Sequence, residues 1–189
     1  MIALARVTRI LPVVLLLVGL APRADAQLPG QARTSTVPRL RTALPGYPDP
    51  IALDTVANYT EMKAPPGVVF TAAVEALKAL DIPIAVRDSS HGTVGNLGWT
   101  KMRQLGGKTM STSFNCGSGM TGPNADAYRL TIAAVVMIEA LPNGNSRVGI
   151  ALVGSAQDVQ GAAKDPVACG TNGFTEARIE ALMRTKLAH

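Results

Sequence analysis

Apolar residues recur with a period of two along AYRLTIAAVVMIEAL. One face carries Tyr128, Leu130, Ile132, Ala134, Val136 and Ile138, and the other Arg129, Thr131, Ala133, Val135, Met137 and Glu139. Alternation of this kind marks a strand, and a second face that is polar at its ends and apolar in its middle marks a central strand. PNGNS follows, with the Asn-Gly pair that suits a tight hairpin turn. RVGIALVGSA then returns, with Val148, Ile150 and Leu152 alternating against Arg147, Gly149 and Ala151. The pattern predicts a long antiparallel hairpin.

Upstream, the period changes. In VVFTAAVEALKAL the residues Phe70, Ala73, Val74, Leu77 and Leu80 recur at three and four, with Glu75 and Lys78 off that line, which predicts an amphipathic helix over 67–80. Residues 54–63 read as a first strand, ended by Pro65 and Pro66. IPIAVRD and GTVGNLGWT read as a second and third strand, the latter weakened by its glycines, and KTMSTSFNC as a fourth, alternating Met110, Thr112 and Phe114 with polar neighbours. After the loop DVQGAAKDPVACGTNG, the segment TEARIEALMRTKL predicts a closing helix with an Ile179, Leu182, Met183 and Leu187 stripe. Glu176 and Glu180 come early in it and Arg184 and Lys186 late, matching the helix dipole. Short turns between successive late strands predict an α+β domain over residues 51–189, with a mainly antiparallel sheet and two helices packed on one face.

The beginning of the chain changes the picture of where this domain works. MIALARVTRI carries Arg6 and Arg9, an apolar run follows, and Ala24 and Ala26 supply an A-x-A site, the order of a secretory signal peptide over residues 1–26. The apolar run over 10–21 is about half of the roughly 20 residues that span a bilayer. Cleavage before Gln27 is therefore expected, leaving an exported protein, periplasmic or extracellular, without a transmembrane segment.

Charge then divides the chain. The formal net charge is +5, and removing Arg6, Arg9, Arg23 and Asp25 takes it to +3. Two of those three positive charges fall before Ile51, where Arg33, Arg39 and Arg41 face only Asp49; the domain that follows is nearly neutral, and no nucleic-acid partner is expected. Residues 27–50, with Pro29, Pro38, Pro45, Pro48 and Pro50 and no apolar periodicity, read as a flexible leader. Aromatic residues make up only 4% of the chain, so Val, Ile, Leu, Ala and Met must supply most of the core.

Two cysteines, each followed by glycine in NCGSGMTG and ACGTNGF, pose the sharpest chemical question. Export favours a Cys116–Cys169 disulfide, because bridges persist in oxidising compartments. In the predicted layout Cys116 ends the fourth strand and Cys169 opens the last helix. The competing reading is a reactive Cys116 thiol with His91 as its base. Neighbouring look-alikes fail: CGSGM has Cys where a nucleophile elbow needs glycine, and LGGKT lacks the first P-loop glycine, Met102 standing in its place. No zinc or calcium spacing is present, and no cofactor is expected.

The paired loops NCGSGMTGPNAD and DPVACGTNG resemble those of uncharacterised secreted bacterial proteins, and the helix-on-sheet order resembles the domains of outer-membrane assembly lipoproteins over residues 54–187. That resemblance implies an envelope-associated module and carries no catalytic motif; this chain also lacks the lipoproteins' lipidated cysteine. Recognition-type residues concentrate in GWTKMRQLGGKT, where Trp99, Lys101, Arg103 and Lys108 would suit an anionic envelope component or an acidic protein surface. The alternative for Trp99 is burial as the largest core side chain. The reading is an exported, non-enzymatic binding module. Its rival is a small hydrolase-like enzyme using Cys116 and His91, or loop acids such as Asp126 and Asp158.

Overall fold

The computed structural model describes residues 39–160 and 165–188. The expected signal peptide over 1–26 and the first part of the expected leader lie outside these residues. The described residues form four helices, α1 (Leu53–Val56), α2 (Pro66–Ala79), α3 (Asn124–Ala127) and α4 (Phe174–Leu187). A seven-stranded sheet contains β1 (Asn58–Met62), β2 (Val86–Asp88), β3 (Thr93–Met102), β4 (Phe114–Asn115), β5 (Arg129–Ala140), β6 (Ser146–Gln157) and β7 (Val167–Thr171). Its order is β2-β3-β5-β6-β7-β4, and β1 also pairs with β6. Every pairing in the sheet is antiparallel. No helix among the described residues is long and apolar enough to cross a membrane.

The hairpin of β5 and β6 is the centre of the sheet, in continuous register from Arg129↔Gln157 to Ala140↔Ser146. Two edge partners share the far side of β6: β1 pairs with residues 146–150 and β7 with residues 154–156. Where β3 crosses β5 the register shifts between Ile132 and Ala134. Gly95 makes that approach feasible: its φ is +151°, and a Cβ there would stand 2.1 Å from the Ala134 carbonyl oxygen. The glycines that weakened this segment as a strand are thus part of how a ten-residue strand fits.

Alternation sorts the buried residues into two clusters. Leu130, Ile132, Ala134 and Val136 of β5 and Val148, Ile150 and Leu152 of β6 join Val69, Phe70, Ala73 and Leu77 of α2 and Ile179 and Met183 of α4. The alternate residues of the same strands, Ala133, Val135, Met137, Ala151 and Val153, join Leu44 and Leu53.

That second cluster corrects two sequence expectations. Residues 39–50, read as the end of a flexible leader, are built into the fold. Arg41–Thr42 pairs with Ile51–Ala52, Leu44 is buried, the Thr42 hydroxyl donates to the Leu97 carbonyl, and the Tyr47 hydroxyl lies 3.1 Å from the Gly154 carbonyl and 3.2 Å from that of Cys169. Residues 54–63, read as one strand, begin instead within α1, which places Leu53 against the sheet, and extend only from Asn58. In both cases an apolar sheet face needing cover overrides local composition.

Three further differences have local causes. IPIAVRD is a strand only over Val86–Asp88, because Pro83 has no N–H to give a ladder. The expected fourth strand is broken by a 3₁₀ turn at Met110–Thr112, leaving Lys108–Thr109 in a small hairpin with Gln104–Leu105 and only Phe114–Asn115 in the main sheet. Asp126 stabilises that turn by accepting from the Ser111 backbone N–H at 2.8 Å and the Ser111 hydroxyl at 2.7 Å. Cys169 lies in β7 and does not open α4: Cys169 pairs with Gly154, and Gly170 and Thr171 pair with Asn115 and Phe114.

Candidate functional site

Cys116 and Cys169 are joined by a disulfide. Both are buried, at 6% and 3% exposure. The bridge ties β7 to the segment that leaves β4, so it fastens the last two short strands of the sheet together. Gly117 takes a φ of +77° and turns the chain after the bridge, with the Asn124 side-chain amide donating to the Cys116 carbonyl at 3.1 Å. Gly170 performs no such turn and continues the β7 ladder.

The rival reading placed His91 beside Cys116. The structure separates them, since Gly92, next to His91, receives the Ile138 N–H, and Ile138 pairs with Val148 of β6. Cys169 pairs with Gly154, six residues farther along the same strand, or about 20 Å at strand rise. His91 belongs to a local turn instead: Nδ1 lies 2.6 Å from Asp88 Oδ2, and the Ser90 hydroxyl donates to Asp88 Oδ1 at 2.6 Å. Those contacts, the Ser90 hydroxyl first and His91 second, hold the Asp88 carboxyl well below the usual carboxylate range. The arrangement superficially resembles a triad, but Ser90 meets the same ring nitrogen that faces Asp88, so no second imidazole nitrogen is directed at the hydroxyl. Asp126 is committed to the Ser111 turn, and Asp158 accepts from the Gln160 N–H at 2.8 Å in a turn of its own.

Of the four expected contact residues, the structure brings two together. Lys101 and Arg103 line a surface hollow of about 540 Å³ with Asp81, Gln104, Gly106 and Gly107. Its rim is built from two left-handed residues. Asp81 has φ +54° because it caps α2: its N–H reaches the Lys78 carbonyl, and the Ile82 N–H reaches that of Leu77. Arg103 has φ +68° where the chain leaves β3, and its carbonyl accepts the Met110 N–H at 2.9 Å. A left-handed conformation costs a non-glycine residue about 1–2 kcal/mol and persists only where its surroundings hold it. Arg178 of α4 supplies part of that hold, donating to the Gly106 carbonyl at 3.0 Å.

Lys101 reaches the Asp81 carbonyl at 3.5 Å. Lys108 is exposed on the small hairpin but is not among the residues lining the hollow, and Trp99 is half-buried, packed against the larger core cluster. The aromatic member of the expected constellation is therefore largely core.

A carboxylate went unnoticed in the sequence. Glu176, read there only as a dipole partner of its helix, is 4% exposed, and its Oε2 has no hydrogen-bond partner among the described residues. Charge pattern alone places an early helical Glu in solvent; only the packing of α4 buries it.

No family model matches the chain, and no curated protein matches it.

Proposed function

We propose that the chain is an exported binding module of the cell envelope, not an enzyme, and that Lys101, Arg103 and Lys108 form its contact surface for an anionic envelope polymer bearing carboxylate or phosphate groups. The observation that carries this reading is the hollow at the end of β3, where Lys101 and Arg103 stand side by side on a turn braced by the α2 cap and by Arg178. A braced turn presents its charges without first losing conformational freedom, so less of the interaction energy is spent on ordering. The enzymatic alternative is weakened by the commitments of its own candidates: Cys116 is in a disulfide, His91 lies at the other end of the sheet, and Asp126 holds a turn.

Shared membership of α2 and α4 in one core cluster supports a layout with both long helices on one sheet face. The disulfide and the A-x-A site support export. Expressed in a host with a general secretory pathway, the protein should be recovered outside the cytoplasm with Gln27 as its first residue; N-terminal sequencing that finds Met1 retained would overturn the export reading.

The surface is tested with the triple change K101A/R103A/K108A. Binding to immobilised polygalacturonate should weaken at least tenfold and lose most of its salt dependence, while unfolding free energy changes by no more than about 0.5 kcal/mol per exposed site. Unchanged binding by the triple variant would remove this surface from consideration.

A further inference from the structure

Independently of the anionic-ligand surface, we infer that the cleft between β1 and the start of α4 is a receptor for a primary ammonium group, with Glu176 as its anionic partner. The cleft has a volume of about 200 Å³, and Asn58, Ile150, Gly173, Glu176 and Glu180 are among its lining residues. Asn58 and Ile150 are paired across β1 and β6 and so point to the same side of the sheet, the side on which Ile150 joins α4 in the larger core cluster.

The two carboxylates are in different situations. Glu180 is already compensated: its Oε1 accepts from Arg184 Nε at 2.8 Å and from the Thr60 hydroxyl at 3.2 Å. Glu176 is the more buried of the two, and its Oε2 has no partner among the described residues. It sits in the first turn of α4, where the helix dipole favours negative charge. The dipole offsets part of the charge, yet it leaves the lone pairs of Oε2 without a donor, and a buried carboxylate oxygen without a donor is costly.

The missing partner is therefore a donor carrying positive charge. An ammonium supplies three N–H donors from one compact centre, and Asn58 and Glu180, whose side chains carry acceptor oxygens, line the same cleft. At about 200 Å³ the space is below the range of drug-sized sites, so it suits a headgroup of a few heavy atoms. The described residues contain no group of three or more His, Cys, Asp or Glu side chains placed to hold a metal ion. One unpartnered oxygen of a buried acidic side chain points to an amine, either a free small amine or a lysine side chain presented by a peptide.

Isothermal titration of the purified protein with putrescine and with Nα-acetyl-lysine methylamide distinguishes these sources. Binding of either is expected with sub-millimolar Kd, and the tighter of the two identifies the source; butane-1,4-diol, of similar shape and no charge, should not bind. E176Q should weaken the amine at least tenfold while leaving the unliganded protein as stable as the wild type or more so, because it removes an uncompensated buried charge. N58L, at an exposed position, should obstruct the cleft and weaken binding without touching the carboxylate. Absence of amine binding at 10 mM of either probe (about 2.7 kcal/mol of affinity), equal binding by E176Q, or tighter binding of calcium than of either amine would each overturn the proposal. So would a destabilised E176Q with no amine response in the wild type, which would make Glu176 a helix-terminus group only.

Discussion

Replacing either Cys116 or Cys169 by Ser should lower the unfolding free energy by roughly 2–5 kcal/mol, and replacing both should cost little more than replacing one. The bridge spans 53 positions, for which restriction of the unfolded chain corresponds to about 4 kcal/mol. The native surroundings argue for the upper part of that range. β4 and β7 are held to each other by two residue pairs and β7 to β6 by three, so neither strand has a long ladder of its own. Both sulfurs also belong to the larger core cluster, beside Phe114, whose ring occupies the space that Gly154 leaves open: a Cβ on Gly154 would stand 2.8 Å from it. Serine would place a hydroxyl in that apolar setting. Chemical denaturation of the two single variants, the double variant and the reduced wild type separates the contributions, since reduction breaks the crosslink without changing a residue type except by adding two thiol hydrogens. Additive single and double losses, or a reduced protein as stable as the oxidised one, would show that the bridge does not support the fold.

Leu53→Ala should be of comparable severity, a loss of about 2–5 kcal/mol with an unchanged denaturant slope. Leu53 is fully buried and, with Leu44, covers Ala133, Val135, Met137, Ala151 and Val153 on the second face of the sheet. Two of these five residues are alanines, with no long side chains to collapse into the space a shortened Leu53 would leave, so a cavity should persist in part. Val56→Ala, three residues along the same short helix and 43% exposed, should change stability by no more than about 0.5 kcal/mol. If the two changes prove equally mild, the segment from Leu40 to Leu53 is not a cover for the sheet, and the second face must be protected in another way.

These two predictions concern features that stood differently in the sequence. The bridge was legible as a pairing, because a secretory-type leader pattern and an even cysteine count are read without reference to the fold. Its mechanical role was not, since Cys169 was expected at the start of a helix and lies in a strand. VACGT contains too few residues to show a period, and its membership in the sheet comes from three partners on β6 that lie more than ten residues away in the chain. The cover over the second face was missed for a related reason. Prolines and arginines around Leu40 and Leu44 read as a solvated leader; what draws those leucines inward is an apolar surface formed by residues some ninety positions later.

The candidate contact surface divides in the same way. Lys101 and Arg103 were identifiable as cations near glycines, and their meeting around one hollow depends on Asp81, which arrives from the end of α2. Trp99 was grouped with them by proximity in sequence and is turned largely into the core by strand alternation opposite Ile132.

The sequence by itself determined the long central hairpin, the two long amphipathic helices, the α+β class and the pairing of the two cysteines. Each of these rests on a local periodicity or on a count, and neither needs a distant partner to be recognised. Tertiary structure alone decided which segment covers the second sheet face, where Cys169 sits, how Lys101 and Arg103 come to share a hollow with Asp81, and that Glu176 is buried with an unpartnered oxygen. All four depend on contacts between residues far apart in the chain. Burial and hydrogen bonding between such residues are properties of the packed arrangement, whereas propensity and period are properties of a window, so a short polar or proline-rich window carries no record of the apolar surface it will be called on to cover.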